Sequence, residues 1–285
     1  MNPSSPHSNS QTVANVIARF LKSQGVSRVY GLCGGHIMPI WMALDAAGIR
    51  IVDVRDERAA VYMAHAEADL TGTLGVALVT AGPGVTNAMT GIANAHVSRA
   101  SVLVLSGTPP MAQEHRGALQ DMAHTALLES ITRMARTVRH PDLVLATLYE
   151  AASRALGHGN EPGPVYLDFP VDVVRSHPSP AVLMEEHFKP VTSPVGMPPQ
   201  ADLDAALKLM RQAKRPLVIT GRGAKGAGAA PQPGADEIEH RDRKAAIDVR
   251  GLRQIGDVAA DAAVECDGAR QRRQDADNAA KQRRL

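Results

Sequence analysis

Between Thr12 and Val174, six short apolar runs alternate with segments of helical spacing. That alternation narrows the possible folds more than any single residue does. The runs are Val26 to Gly31, Arg50 to Val54, Leu74 to Thr80, Ser101 to Ser106, Thr137 to Val138 and Gly163 to Pro170. Leu74 to Thr80 is nearly continuous in apolar residues, as strands buried on both faces are. In Thr12 to Gln24, Val13, Val16, Ile17, Phe20 and Leu21 fall on one helical face, and Gly25 stops the helix. Further helices are expected over 37–47, 57–70, from after Asn87 to about Ser98, 119–133 and 141–156. The connections are long enough for parallel crossovers. The expected fold class is α/β: a doubly wound, mainly parallel six-stranded sheet with helices on both faces, then a fragment of a second α/β domain and a disordered tail.

Residues 1–11 read as a disordered lead-in, and 12–174 as the α/β domain. Residues 175–200 contain six prolines and little periodicity, and read as a linker. Residues 201–230 open a second unit: a helix Ala201 to Gln212 with Leu203, Ala206, Leu207 and Met210 on one face, then a strand Pro216 to Thr220. From 231 to 285 there is no aromatic residue, and eleven Lys/Arg face eleven Asp/Glu among scattered alanines. Such a segment cannot bury enough surface to offset an ordering entropy of about 1–2 kcal/mol per residue. The expectation is a low-order tail from a truncated or frameshifted reading frame. Resequencing the codons for Ala229 to Gly234 tests it.

Lys plus Arg number 31 and Asp plus Glu 29, so no global field points to nucleic acid or a membrane surface as partner. The two cysteines, Cys33 and Cys266, form no C-x-x-C, which excludes a cysteine-rich zinc site and fits a reducing compartment. Residues 1–10 lack the apolar core of a signal peptide. No apolar run reaches the roughly 18 residues of a membrane span. A cytoplasmic protein without a metal site of its own is expected.

Glu57 stands where the run Arg50 to Val54 hands over to a helix, the edge where open α/β sheets bind ligands. Acids are also common there because they complement the helix dipole, so position alone leaves both roles open. On the helix that follows, Ala60, Ala64 and Ala68 repeat every four residues. The stripe suits either packing within the domain or a subunit contact. Three glycine-rich turns follow strands: 31–35, 82–84 and 221–226. The segment Gly82-Pro-Gly-Val-Thr-Asn87 lacks the third glycine of a dinucleotide fingerprint. Gly221-Arg-Gly-Ala-Lys-Gly226 matches the letters, but Pro231, Pro233 and the charged tail deny it the rest of a βαβ unit.

Six segments stand in a telling order: Gly31-Leu-Cys-Gly-Gly-His36, Val54-Arg-Asp-Glu-Arg-Ala-Ala60, Thr80-Ala-Gly-Pro-Gly-Val-Thr-Asn87, Val104-Leu-Ser-Gly-Thr-Pro109, Leu119-Gln120, and Gly163-Pro-Val-Tyr-Leu-Asp-Phe-Pro-Val-Asp172. Together they make Thr12 to Val174 resemble the N-terminal pyrimidine-binding domain of the thiamine-diphosphate enzymes, in the acetolactate synthase-like branch. Residues up to Gly226 resemble the start of that family's central domain.

The resemblance implies thiamine diphosphate as cofactor and Glu57 as the glutamate that bonds N1′ of its aminopyrimidine. The imino tautomer so favoured takes the proton from C2 of the thiazolium. A carboxyl suits this task because a dry site lets it share a proton with a weakly basic ring nitrogen. Gly82, Pro83, Gly84 and Asn87 match the turn against the pyrimidine. Gln120 matches a glutamine reaching the active site, and Gly34 and Gly35 match a loop near the reacting carbon. His36 departs from acetolactate synthases, which carry a small residue there, and agrees with some carboligating lyases of the superfamily. It is either a proton shuttle or a loop histidine without a role. Cys33 replaces a common proline and reads as packing. No ligand spacing links His65, His96, His115 and His124, which read as surface or helix residues.

In the family, Mg²⁺ and the diphosphate are held by a C-terminal domain that starts with Gly-Asp-Gly, a motif absent here. FAD occurs in full-length relatives. The implied activity is decarboxylating carboligation of a small 2-keto acid of the pyruvate class, as in branched-chain amino acid biosynthesis. The implied assembly is a homodimer or higher oligomer through the Ala60-Ala64-Ala68 helix. With half a site, the chain alone is expected to be inactive. The alternative is a nonenzymatic pyrimidine-domain remnant that associates with full-length relatives.

Overall fold

The computed structural model describes residues 11–192 and 198–213. Backbone contacts divide the chain into two units, Met1–Pro194 and Val195–Leu285. The first is a six-stranded sheet with strands β1 (Arg28–Gly31), β2 (Arg50–Asp53), β3 (Gly75–Val79), β4 (Val102–Thr108), β5 (Met134–Thr137) and β6 (Val165–Pro170). All five pairings are parallel, and the strand order is β2-β1-β3-β4-β6-β5. The sheet is therefore wholly parallel. The first six helices are α1 (Val13–Ser23), α2 (Met38–Ala46), α3 (Glu57–Thr71), α4 (Pro83–Val97), α5 (His124–Leu128) and α6 (Val144–Leu156); a short α7 (Val171–Arg175) follows β6 directly.

Strand alternation divides the core into two layers. Val76, Leu78, Leu103, Leu105, Val165 and Leu167 point to one face, where α1, α2 and α6 cover them. Ala77, Val79, Val102, Val104 and Tyr166 point to the other, under α3 and α4. The first layer is aliphatic and large. In the second, Ala60, Ala64, Ala88 and Ala95 let α3 and α4 approach closely. Ala60 and Ala64 are wholly buried and Ala68 nearly so, so the stripe expected at a subunit contact is covered by its own domain. The side of α3 that remains exposed carries Tyr62 and Met63.

Helix boundaries follow local chemistry. Asp56 caps α3 by accepting from the Arg58 N–H at 2.9 Å, and Gly72 ends it in the left-handed region at φ 71°. The helix expected over 119–133 is mostly absent. Residues 119–123 are a loop in which Gln120 has φ 64°, and only His124–Leu128 is α-helical, followed by a 3-10 turn to Ile131. The fifth strand lies three residues earlier than expected, at Met134–Thr137.

The front of the expected linker is docked on the domain. Val182, Leu183, Phe188 and Val191 pack against the first core layer. The Arg19 guanidinium stacks over Phe188 at 3.8 Å, and the Tyr149 hydroxyl lies 2.6 Å from the carbonyl oxygens of both His187 and Lys189, its one hydrogen serving them in turn. Prolines shaped this stretch without freeing it. In the second unit, α8 spans Gln200–Gln212 as expected, with none of its side chains fully buried. The strand Pro216 to Thr220, the Gly221 to Gly226 turn and the charged tail lie outside the described residues.

Candidate active site

The chain passes from β1 outward to β2, then crosses back to β3 and on to β4. The carboxyl ends of β1 and β3 thus flank the point where the winding reverses, where doubly wound sheets bind ligands. The loops leaving β1, β2, β3 and β4 gather there.

Glu57 is the first residue of α3, just past the end of β2, and only 8% of it is exposed. Its Oε2 accepts a short hydrogen bond, 2.5 Å, from Nδ2 of Asn87 on α4. Its Oε1 faces the turn at the end of β3: a Cβ added to Gly84 would lie 3.3 Å from it. The same Cβ would lie 2.9 Å from the Thr80 methyl, and one on Gly34 would lie 2.3 Å from the Thr80 hydroxyl. Gly34 and Gly84 therefore let two backbone segments close on Thr80 in front of the carboxylate. The Thr80 Oγ1 is buried without a hydrogen-bond partner among the described residues.

Asp56 beside Glu57 is turned outward. The Arg58 side chain, then the Arg58 backbone N–H, hold its carboxyl at a pKa of about 2. The guanidinium contacts both oxygens, at 2.9 and 2.5 Å. Asn87 also lies 3.4 Å from Asp56, so it spans the two acids.

Gly82 precedes α4 with φ 64°, a backbone form that side-chain-bearing residues rarely adopt. Gln120 packs on it closely: a Cβ there would meet the Gln120 Cβ at 2.8 Å. Beneath the turn, the Gly82 N–H donates to Nε2 of His124 at 2.8 Å. His124 Nδ1 lies 3.2 Å from Asp168 Oδ2, which also accepts from the Tyr166 hydroxyl at 3.0 Å. His124 and Asp168 are each 1% exposed.

His36 leans on Gly107 at the end of β4 and lies beside Gln120. Burial lowers its pKa, with the Gln120 contact acting in the opposite sense, and Nδ1 is buried without a partner among the described residues. That direction favours the neutral imidazole.

The expected site residues therefore form two adjoining groups. Glu57, Asn87, Gly84 and Gly34 surround Thr80, and Gly82, Gln120 and His36 adjoin them on the β4 side. Pro83 is exposed as the first residue of α4, and Gly35 is exposed with open space where a side chain would be. Among the histidines expected as bystanders, His65 does link α3 to α4 through Asn94 at 3.1 Å. His124 is different, being buried under the Gly82 turn. No spacing signals it, because its partners stand 42 and 44 residues away. Thr80 stood in a quoted segment but carried no expected role.

The family described as thiamine pyrophosphate enzyme, N-terminal TPP binding domain, matches residues 11–127. These residues are an N-terminal domain of the thiamine-diphosphate enzyme family. The chain is 39% identical over 193 residues to 2-hydroxyacyl-CoA lyase 2 of Danio rerio, covering 68% of this chain and 30% of that protein. The human protein of the same name is 37% identical over 181 residues, covering 64% of this chain and 28% of its own. Acetolactate synthase large subunit IlvG of Mycobacterium tuberculosis is 33% identical over 211 residues, covering 72% and 37%. The chain spans about a third of the length of these curated relatives.

The site suits the pyrimidine half of thiamine diphosphate. Asn87 takes Glu57 Oε2 and leaves Oε1 at the glycine turn with no protein partner among the described residues, and the buried Thr80 hydroxyl beside that turn is likewise unpartnered. Among the described residues no group of three His, Cys, Asp or Glu could hold a metal ion, and no helix is long and apolar enough to cross a membrane.

Proposed function

We propose that this domain supplies the proton-handling half of a thiamine-diphosphate site whose enzyme makes or breaks the carbon–carbon bond beside a carbonyl. The supporting observation is a buried Glu57, fixed at Oε2 by Asn87, whose Oε1 has no protein partner among the described residues and faces the bare Cα of Gly84. When bound, thiamine diphosphate supplies a nucleophilic carbon and an electron sink. Glu57 Oε1 would share a proton with a ring nitrogen of the bound cofactor, and the Asn87 hydrogen bond to Oε2 would keep the carboxyl from rotating away. Gly34 and Gly84 let their backbones close on Thr80, whose unpartnered hydroxyl would offer the ring a hydrogen bond.

The reaction class we favour is cleavage or formation of a 2-hydroxyacyl thioester. Two observations support it: the higher identity to 2-hydroxyacyl-CoA lyases, and His36, a neutral base that can accept a hydroxyl proton as the bond breaks. Decarboxylating carboligation of a 2-keto acid, as in an acetolactate synthase, is the second reading, supported by the 33% identity to that enzyme. FAD bound to the purified protein would favour this second reading. A cytoplasmic setting suits the exposed free thiol of Cys33.

Calorimetry tests the site. Thiamine diphosphate with Mg²⁺ should bind the chain, and Glu57→Gln should weaken binding by about tenfold or more, the worth of one buried hydrogen bond to a charged group. Equal binding by the variant would overturn the assignment. Aldehyde release from a 2-hydroxyacyl thioester, compared with carbon dioxide release from pyruvate, separates the two reactions. In whichever assembly turns over, Glu57→Gln should cost about 10²–10⁴ in rate.

A further inference from the structure

The buried pair His124 and Asp168 takes no part in the chemistry above, yet it sits directly under the turn that shapes the site. A backbone N–H can only donate, so the Gly82 N–H requires a lone pair on His124 Nε2. A neutral imidazole carries one hydrogen, which then lies on Nδ1 and points at Asp168 Oδ2, 3.2 Å away. The acceptor is strong, being a carboxylate that the Tyr166 hydroxyl also holds. Burial, then the Asp168 charge, keep that hydroxyl protonated far above its usual range. Gly82 is gripped from both sides, by His124 below and by Gln120 against its bare Cα. Both grips come from one five-residue segment, 120–124.

We propose that His124 is a positioning residue: as a neutral Nδ1–H imidazole oriented by Asp168, it fixes the Gly82–Gly84 turn and so the space in front of Glu57 Oε1. The proposal rests on reading that space as the pyrimidine site. A hydrogen-bond acceptor at one place is required, and packing volume alone does not supply it. Two substitutions separate these roles. His124→Gln puts an amide oxygen where Nε2 stands, keeping an acceptor for the Gly82 N–H. His124→Asn keeps a donor toward Asp168 but leaves the Gly82 N–H with none.

Three measurements test this on the full chain. Long-range proton–nitrogen correlation on histidine-labelled protein should find His124 protonated at Nδ1 and bare at Nε2. Hydrogen exchange at the Gly82 amide should be slow in the wild type and in His124→Gln, and about tenfold or more faster in His124→Asn. Thiamine diphosphate affinity should stay within about threefold in His124→Gln and fall about tenfold or more in His124→Asn, while melting temperatures of the two drop alike. An imidazolium, an Nε2–H tautomer, or rapid Gly82 exchange in the wild type overturns the proposal without any variant. Equal exchange and affinity in the two variants overturns it too. If the wild type binds no thiamine diphosphate, the functional reading fails, and the tautomer and exchange measurements still decide the role of His124.

Discussion

Asp56 and Glu57 are adjacent carboxylates with different tasks. Asp56 caps the helix and is clamped by Arg58; Glu57 turns inward against Gly84. The clamp depresses the Asp56 pKa to about 2, below its ordinary value. A depressed carboxylate stabilises the fold above its unfolded-state pKa, and the stabilisation is lost as pH falls through the folded value. The cap should therefore persist at pH 4 and open only as pH approaches 2. A carbon-detected titration of Asp56 checks this, and Arg58→Ala should return the midpoint toward the usual carboxylate range. A midpoint already usual in the wild type would remove the clamp from the account. At this scale Glu57 and Asn87 were legible in the sequence because they stand in recognisable turns. His124 and Thr80 were not, since their importance comes from what the sheet brings beside them.

Helices α3 and α4 carry the two halves of the carboxylate clamp, so their spacing sets the Glu57–Asn87 distance. The alanine stripe of α3 has this intramolecular purpose. Ala64→Leu should overpack the layer, destabilise the domain by about 1–3 kcal/mol in urea unfolding, and weaken cofactor binding as α3 is pushed from α4. Tyr62→Ser on the exposed side of α3 should leave the stability of the isolated chain unchanged. If the oligomer expected from the family uses that side, sedimentation should detect dissociation in Tyr62→Ser. A neutral Ala64→Leu would mean the layer is looser than its burial implies. The elements most legible in the sequence were β3, which is apolar throughout, and the largely apolar β4 and β6. The 119–133 stretch misled because its apolar spacing suits a helix, whereas the grip on Gly82 requires a left-handed Gln120. The 175–192 stretch misled because its prolines outweighed Val182, Phe188 and Val191, whose partners lie far away in the chain.

At the scale of the molecule, the doubly wound class could be read from alternation alone, but the strand order could not. Nothing local says that β6 inserts between β4 and β5. That insertion has a kinetic consequence. Among the described residues, strand β5 pairs only with β6, and the outer edge of β4 is likewise covered only by β6, more than 50 residues further along the chain. Until Val165–Pro170 leaves the ribosome, Val102–Thr108 is an open edge that begins with four apolar residues, and Met134–Thr137 lacks the strand it pairs with. Parallel pairings of such separation form slowly, and open edges attract other chains. A chain ended at residue 160 should aggregate during synthesis, whereas one ended at 192 should fold; the soluble fraction of each on expression distinguishes them. The last strand made is thus the one that ends the danger of misassembly, and the vulnerable interval in the life of this domain is the time taken to translate the α6 crossover.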